Sequence, residues 1–344
     1  MPLGRHVTFD ERPDSLDDAV GDAEAPERRI ERVRRCELPG GVAALVDAYE
    51  KTVGERDRFL WRWLYFVFPA VTLSCVDSTD EERVRDRKLL ASLYVVLLDD
   101  VAERRMDRAT FEELGKVPFD HRTPRPDREG VDADVVGFGE RVWSALETDL
   151  ETAPRAEEFR SLFEFDVKQN VNAVDYSYTV NQRLEMANLA ETDAYDPNNM
   201  MLFTYATVDL MHAPSFDRDD LSALRRMLFE AQEMARIGNW VTTWERELRE
   251  GDYSSGVVVY ALENDIVDRE ELYKLSAGRF EAGCDDLVER IRTRGVEEHF
   301  LDEWHRRYEA VEAFEGDLDS VDVRSFRSGM EKVLSYQLAS RGLK

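Results

Sequence analysis

The chain has 344 residues, 73 of them Asp or Glu against 46 Lys or Arg, for a formal net charge of −27. That balance argues against a nucleic-acid partner, since phosphate backbones need basic patches. At 43% hydrophobic the chain can bury a sizeable core, in one large domain or two modest ones. Only seven of its basic residues are Lys, and an acidic, Lys-poor surface resembles that of salt-accumulating halophiles, where high salt screens self-repulsion.

Residues 1–35 are charged and weakly periodic, and read as a mobile tail or an arm over the site. Their opening lacks the basic-then-apolar order of a signal peptide, so a cytoplasmic protein is expected. Phe59–Cys75 is the longest apolar run; Arg62 and Pro69 interrupt it, and it reads as a buried helix rather than a membrane span. Ser78 with Glu81, or Thr79 with Glu82, forms a capping-box pattern opening a helix to about residue 104. Residues 116–130 are a Pro-rich loop, and a helical pattern over 132–190 breaks near Ala153-Pro154. After a loop at 193–197, the pattern is helical from Leu221 to Glu250, then over 256–264, 269–293, 296–314 and 322–341. Only Val257–Tyr260 hints at a strand, and there is no Gly-rich phosphate loop and no internal repeat. The expected fold is all-α: a single helical bundle, residues 36–344, whose core opens into a central cavity.

Two stretches carry chemistry. Asn239, Thr243 and Glu247 stand at i, i+4 and i+8, within roughly 80° on one helix face. Their axial span is about 12 Å, but helical side chains lean toward the N-terminus, so Glu247 reaches back toward Thr243 and Asn239. An amide oxygen, a hydroxyl and a carboxylate then converge, a hard-oxygen set suited to Mg²⁺ shared with substrate phosphates. Upstream, the apolar run Leu93–Leu98 leads into Asp99, Asp100 and Glu103. Asp99 and Glu103 share a face, with Asp100 about 100° round.

An acidic chain makes carboxylate motifs easily. Asp285-Asp286-Leu-Val-Glu289 repeats the DDxxE spacing, but no apolar run leads into it. Asp217–Asp220 reads as a helix cap. The cysteines 36, 75 and 284 have no metal spacing, and the five histidines form no HExxH.

Together the two stretches resemble the class I terpene synthases. Asp99-Asp100-Val-Ala-Glu103 matches that family's aspartate-rich motif. Asn239-x3-Thr243-x3-Glu247, with basic Arg246 and the trailing Arg249-x-Gly251-Asp252, matches its metal triad, 139 residues after Asp100. Trp240 replaces an acid common after the Asn, at a position turned off the ligand face. The resemblance spans roughly residues 55–310 and is carried by motifs alone.

It implies a helical terpenoid-synthase bundle and Mg²⁺, three ions with bound diphosphate, held by Asp99, Asp100, Glu103, Asn239, Thr243 and Glu247. The implied substrate is an isoprenyl diphosphate, farnesyl or geranylgeranyl diphosphate first, ionised and cyclised to a hydrocarbon or alcohol. Arg246, Arg183 and the pair Arg307-Tyr308 are the implied diphosphate contacts, and a homodimer is possible. Tyr65, Phe66, Tyr94, Phe203, Tyr205 and Trp244 are candidates for the hydrocarbon pocket. Two alternatives stand: a prenyltransferase of the same fold making linear or head-to-head isoprenoids, and a non-catalytic helical protein with an acidic halophilic surface.

Overall fold

A computed structural model describes residues 25–54, 56–277 and 281–343. Among them the chain is helical with no strand. Helices α1 (Pro26–Arg34), α2 (Gly40–Thr52) and α3 (Arg58–Val67) lead through a 3-10 turn at Phe68–Val71 into α4 (Glu81–Asp99). A π-turn at Asp100–Arg104 follows, then α5 (Arg108–Leu114), α6 (Ala133–Leu150) and α7 (Ala156–Gln182). α8 (Leu189–Tyr195) passes through a 3-10 turn at Asp196–Met200 into α9 (Leu202–Met211). The long α10 (Leu221–Glu250) precedes α11 (Gly256–Glu263), α12 (Arg269–Ser276), α13 (Glu281–Thr293), α14 (Val296–Glu312) and α15 (Val323–Ala339). None of the described helices is long and apolar enough to cross a membrane.

Part of the expected tail is folded. Pro26 opens α1, where a missing N–H is no loss, and Ile30 and Val33 are buried, one turn apart, as the helix packs on α3 and α15. Residues 1–24 lie outside the described residues. The expected capping box of α4 does not form: Asp77 instead accepts from the Thr79 N–H and hydroxyl. The Val257–Tyr260 run is helical in α11, where burial against α10, α8 and α14 overrides its β-branched preference.

Two helices position the acidic motifs. From Arg87 to Leu98 every residue of α4 except Val96 is buried, as befits a helix packed on all sides by α3, α6, α7 and α9. Of its buried polar members, Lys88 and Ser92 find partners inside, while Arg87 bonds through Nη2 and leaves Nε and Nη1 without one. Lys88 Nζ lies 2.7 Å from Asp209 Oδ1, and Asp209 Oδ2 also accepts from the Leu73 N–H at 2.9 Å. Ser92 Oγ and Tyr205 Oη are 2.8 Å apart, a second link from α4 to α9. α10 packs against α14, α15, α9 and the Asp196–Met200 turn.

The close approach of α15 to the Phe68–Val71 turn depends on Gly329, where an added Cβ would lie 1.7 Å from the Ala70 carbonyl oxygen. Backbone cannot yield there as a side-chain tip could. Gly329→Ala should destabilise the protein by about 1–3 kcal/mol, read as a lowered denaturation midpoint in urea; an unchanged midpoint would contradict this packing.

Candidate metal centre

The last turn of α4 delivers Asp99 and Asp100, and the helix then widens. The Arg105 N–H bonds the Asp100 carbonyl at 2.9 Å, an i to i+5 link, the kind of π-turn often found at functional sites. Asp100 points inward and is fully buried. The Tyr49 hydroxyl donates to its Oδ2, and Arg56 Nε donates to its Oδ1 at 2.6 Å. Arg56 Nη2 donates to Asp99 Oδ2 at 2.5 Å, and Asn199 Nδ2 lies 3.5 Å from the other Asp99 oxygen. Burial pushes the Asp100 carboxyl up, with Arg56 pulling it back. Glu103 is pushed well above the usual carboxylate range, first by burial and then by Asp99 and Asp252.

On α10 a fourth residue joins the expected face. Arg236, three residues before Asn239, donates from Nη1 to Asn239 Oδ1 at 2.8 Å. Its Nε and Nη2 clasp both oxygens of buried Asp196 at 2.5 and 2.8 Å. Trp240 Nε1 donates to the same carboxylate at 2.9 Å. Thr243 Oγ1 donates back to the Asn239 carbonyl at 2.8 Å. The Glu247 carboxyl is pushed up to about 7, by burial first and by Asp252 next, against Arg236 and Arg246.

Asp252 reaches this place through a helix stop. Gly251 takes φ +87, a left-handed conformation that glycine adopts without a Cβ penalty, and the Asp252 N–H bonds the Glu247 carbonyl at 2.9 Å. Asp252 Oδ1 is then held by Asn181 Nδ2 at 2.8 Å, the Ser254 N–H at 3.0 Å and Ser254 Oγ at 2.8 Å.

The two motifs meet. Glu250 Oε2 lies 3.4 Å from Arg104 Nη2 and also accepts from Arg246 Nη1, while Arg246 Nη2 is 3.5 Å from Glu247 Oε1. Glu103 feels the charges of Asp252 and Arg236 from across the gap, and Arg236 feels those of Glu103 and Glu247. Arg236 was visible in sequence as an extension of the same face, three, seven and eleven residues before Asn239, Thr243 and Glu247. Arg56, Tyr49 and Asp196 come from distant segments, with no local signal.

Arg307, Tyr308 and Arg183 are not tied into this cluster by any side-chain hydrogen bond or ion pair among the described residues. Arg307 donates to Glu230 Oε2 at 2.9 Å and lies 3.2 Å from Glu303. Glu230 is nine residues before Asn239, about 13 Å along the helix. Tyr308 stacks on Trp304 and reaches Glu331 of α15 at 3.3 Å. The cause is the direction of α14: Glu297 at its start meets Trp244, so its far end runs toward the beginning of α10. Arg183 caps α7, exposed, two residues past Asn181.

The aromatic candidates are engaged in packing. Tyr94 is edge-on to Trp143 and bonds the Leu114 carbonyl, Tyr205 meets Phe68, and Phe66 packs on Tyr336. Tyr65 and Phe203 lie under Arg85 and Arg225, and Trp244 donates to Glu297. The second DDxxE is surface: the Asp285 side chain is 86% exposed and pairs with Arg249. Asp217 caps the turn before α10, accepting from the Asp219 N–H at 3.0 Å.

Asp99, Asp100, Glu103, Asn239, Thr243, Glu247 and Asp252 offer oxygen only, and burial is the first cause that raises Glu103 and Glu247. Among the described residues no three carboxylate, His or Cys side chains are grouped closely enough to hold a cation alone. A donor set of this kind fits Mg²⁺, which takes one or two carboxylates plus water and phosphate oxygens rather than a protein cage. Two surface hollows, of about 650 Å³ along Gly137–Asp149 and 480 Å³ around Arg58 and Leu343, are lined by none of these residues.

No protein-family model matches the chain, and no curated protein matches it. Among solved structures it is similar to farnesyl diphosphate synthase from T. brucei, at a TM-score of 0.51 and 11% identity over 90% of this chain and 98% of that one. The same enzyme complexed with the bisphosphonate BPH-722 aligns over the same shares at 11% identity and a TM-score of 0.49. The chain has the all-helical isoprenoid synthase fold.

Proposed function

We propose that the chain is a Mg²⁺-dependent class I terpene synthase, a lyase that ionises farnesyl or geranylgeranyl diphosphate and cyclises the resulting cation. The observation that carries this reading is the link between the two motif-bearing segments: Arg104, next to Glu103, reaches Glu250 of α10 at 3.4 Å, and Glu103 lies within charge reach of Asp252 and of the Arg236 that holds Asn239. In a protein of net charge −27, a diphosphate needs metal ions together with these arginines to reverse the local field.

Asp99, Asp100 and Glu103 on one side, and Asn239, Thr243 and Glu247 on the other, would hold the ions. Bound Mg²⁺ supplies Lewis-acid stabilisation of the departing diphosphate. Arg236 steadies the Asn239 amide, leaving its second lone pair for a ligand. Arg246, now on Glu250, stands where it can take a diphosphate oxygen as negative charge grows on the leaving group. The buried flanks of α4 and α10 keep water from the apolar side of the cluster.

Chain elongation by a prenyltransferase is the second reading, favoured by the fold shared with farnesyl diphosphate synthase. Against it stands Asn/Thr/Glu where a second aspartate-rich motif would be expected. Incubation with geranyl, farnesyl and geranylgeranyl diphosphates and Mg²⁺ in molar KCl, followed by gas chromatography–mass spectrometry, separates the two. A cyclic product from one substrate is expected, falling at least about a hundredfold in Glu247→Ala. A linear prenyl diphosphate built from two substrates would replace cyclisation with elongation.

Ligand binding is tested apart from turnover. Mg²⁺ with inorganic diphosphate should raise the melting temperature of the wild type and of Asp285→Asn, but not of Asp99→Asn or Asn239→Ala. Equal behaviour of all four proteins would return the motifs to the acidic surface of a non-catalytic protein.

A further inference from the structure

The aspartate-rich motif already carries a cation of its own. Arg56 lies in the connection between α2 and α3, with its side chain 14% exposed. Its Nε reaches Asp100 Oδ1 at 2.6 Å and its Nη2 reaches Asp99 Oδ2 at 2.5 Å, so one planar fork spans two successive carboxylates. Tyr49 fills the remaining Asp100 oxygen, and Arg104 Nε stands 3.5 Å from Oδ1. The opposite wall is arranged differently. There Arg236 is committed to Asp196 and Asn239, and Arg246 to Glu250 and, at 3.5 Å, to Glu247. Asp99 and Asp100 are thus bridged by one close planar guanidinium, whereas Glu247 has a longer contact with Arg246.

A divalent cation arriving alone at Asp99 and Asp100 must share these carboxylates with the guanidinium or expel it. Expulsion leaves a largely buried positive charge without a partner, which is costly. A diphosphate arriving with the cation changes that balance, because its oxygens offer the displaced guanidinium a new bidentate partner. Resting on the function proposed above, we propose that Arg56 makes cation loading at Asp99 and Asp100 conditional on diphosphate: it is the counter-ion of the motif when the site is empty of substrate, and a diphosphate contact when it is full.

The test is Mn²⁺ binding in molar KCl, followed by the loss of the free-ion electron paramagnetic resonance signal without diphosphate, and by equilibrium dialysis of labelled diphosphate with Mn²⁺ fixed. Wild type, Arg56→Gln and Arg56→Lys are compared, with circular dichroism as the folding control. Arg56→Gln should bind Mn²⁺ alone about tenfold more tightly than wild type, and the tightening of Mn²⁺ binding by diphosphate should shrink by a similar factor, since the coupling is reciprocal. Lysine reaches only one carboxylate, so Arg56→Lys should show a smaller gain; it carries the test if the glutamine variant does not fold. Unchanged or weaker Mn²⁺ binding in a folded variant, with wild type still binding Mn²⁺ and diphosphate together, would make Arg56 a structural brace and overturn the inference alone. Wild type binding neither ligand would overturn the inference and the proposed function together.

Discussion

Like charge gathered at one place is what the rest of this structure must accommodate. The cluster draws carboxylates from α4, from the end of α10 and from the turn at Asp196, in a chain that is already strongly acidic. Guanidinium groups make this possible. Arg56 spans Asp99 and Asp100, Arg236 clasps Asp196 beside Asn239, and Arg104 and Arg246 share Glu250. Burial first, and neighbouring carboxylates next, push the Glu103 and Glu247 carboxyls up, against Arg236 and, at Glu247, Arg246.

The scaffold places this cluster with local devices. A π-turn widens the end of α4, so Asp100 goes inward to Tyr49 and Arg56 while Glu103 faces α10. Gly251 ends α10 and returns Asp252 to Glu247. Asp196 stands where α8 gives way to α9, and Arg236 ties that break to the face carrying the triad. Buried Lys88–Asp209 locks α4 to α9 further down. Such a buried pair is costly unless its hydrogen bonds are complete, and here Leu73 and Thr72 help to complete them.

Much of this was legible in the chain. The apolar run into Asp99 and the unbroken pattern from Leu221 to Glu250 are periodic signals, and both helices end where those signals end. The Asn/Thr/Glu face follows from helical geometry alone. Illegible were the partners supplied from far away. Nothing near Arg56 marks it as the neighbour of a motif more than forty residues on, and nothing near Asp196 marks it as the partner of Arg236. The Arg307-Tyr308 pair misled for a related reason: spacing along α14 does not reveal which way that helix runs against α10. The capping box before α4 failed because Asp77, two residues before Thr79, captured its hydroxyl first.

The central claim is that the two acidic faces form one metal site completed by diphosphate. The most direct measurement is anomalous diffraction from crystals grown with Mn²⁺ and inorganic diphosphate. The account predicts manganese peaks between Asp99, Asp100 and Glu103 on one side and Asn239, Thr243 and Glu247 on the other, with diphosphate bridging them. Manganese bound only at exposed acidic surface such as Asp285, with no diphosphate between the faces, would contradict it.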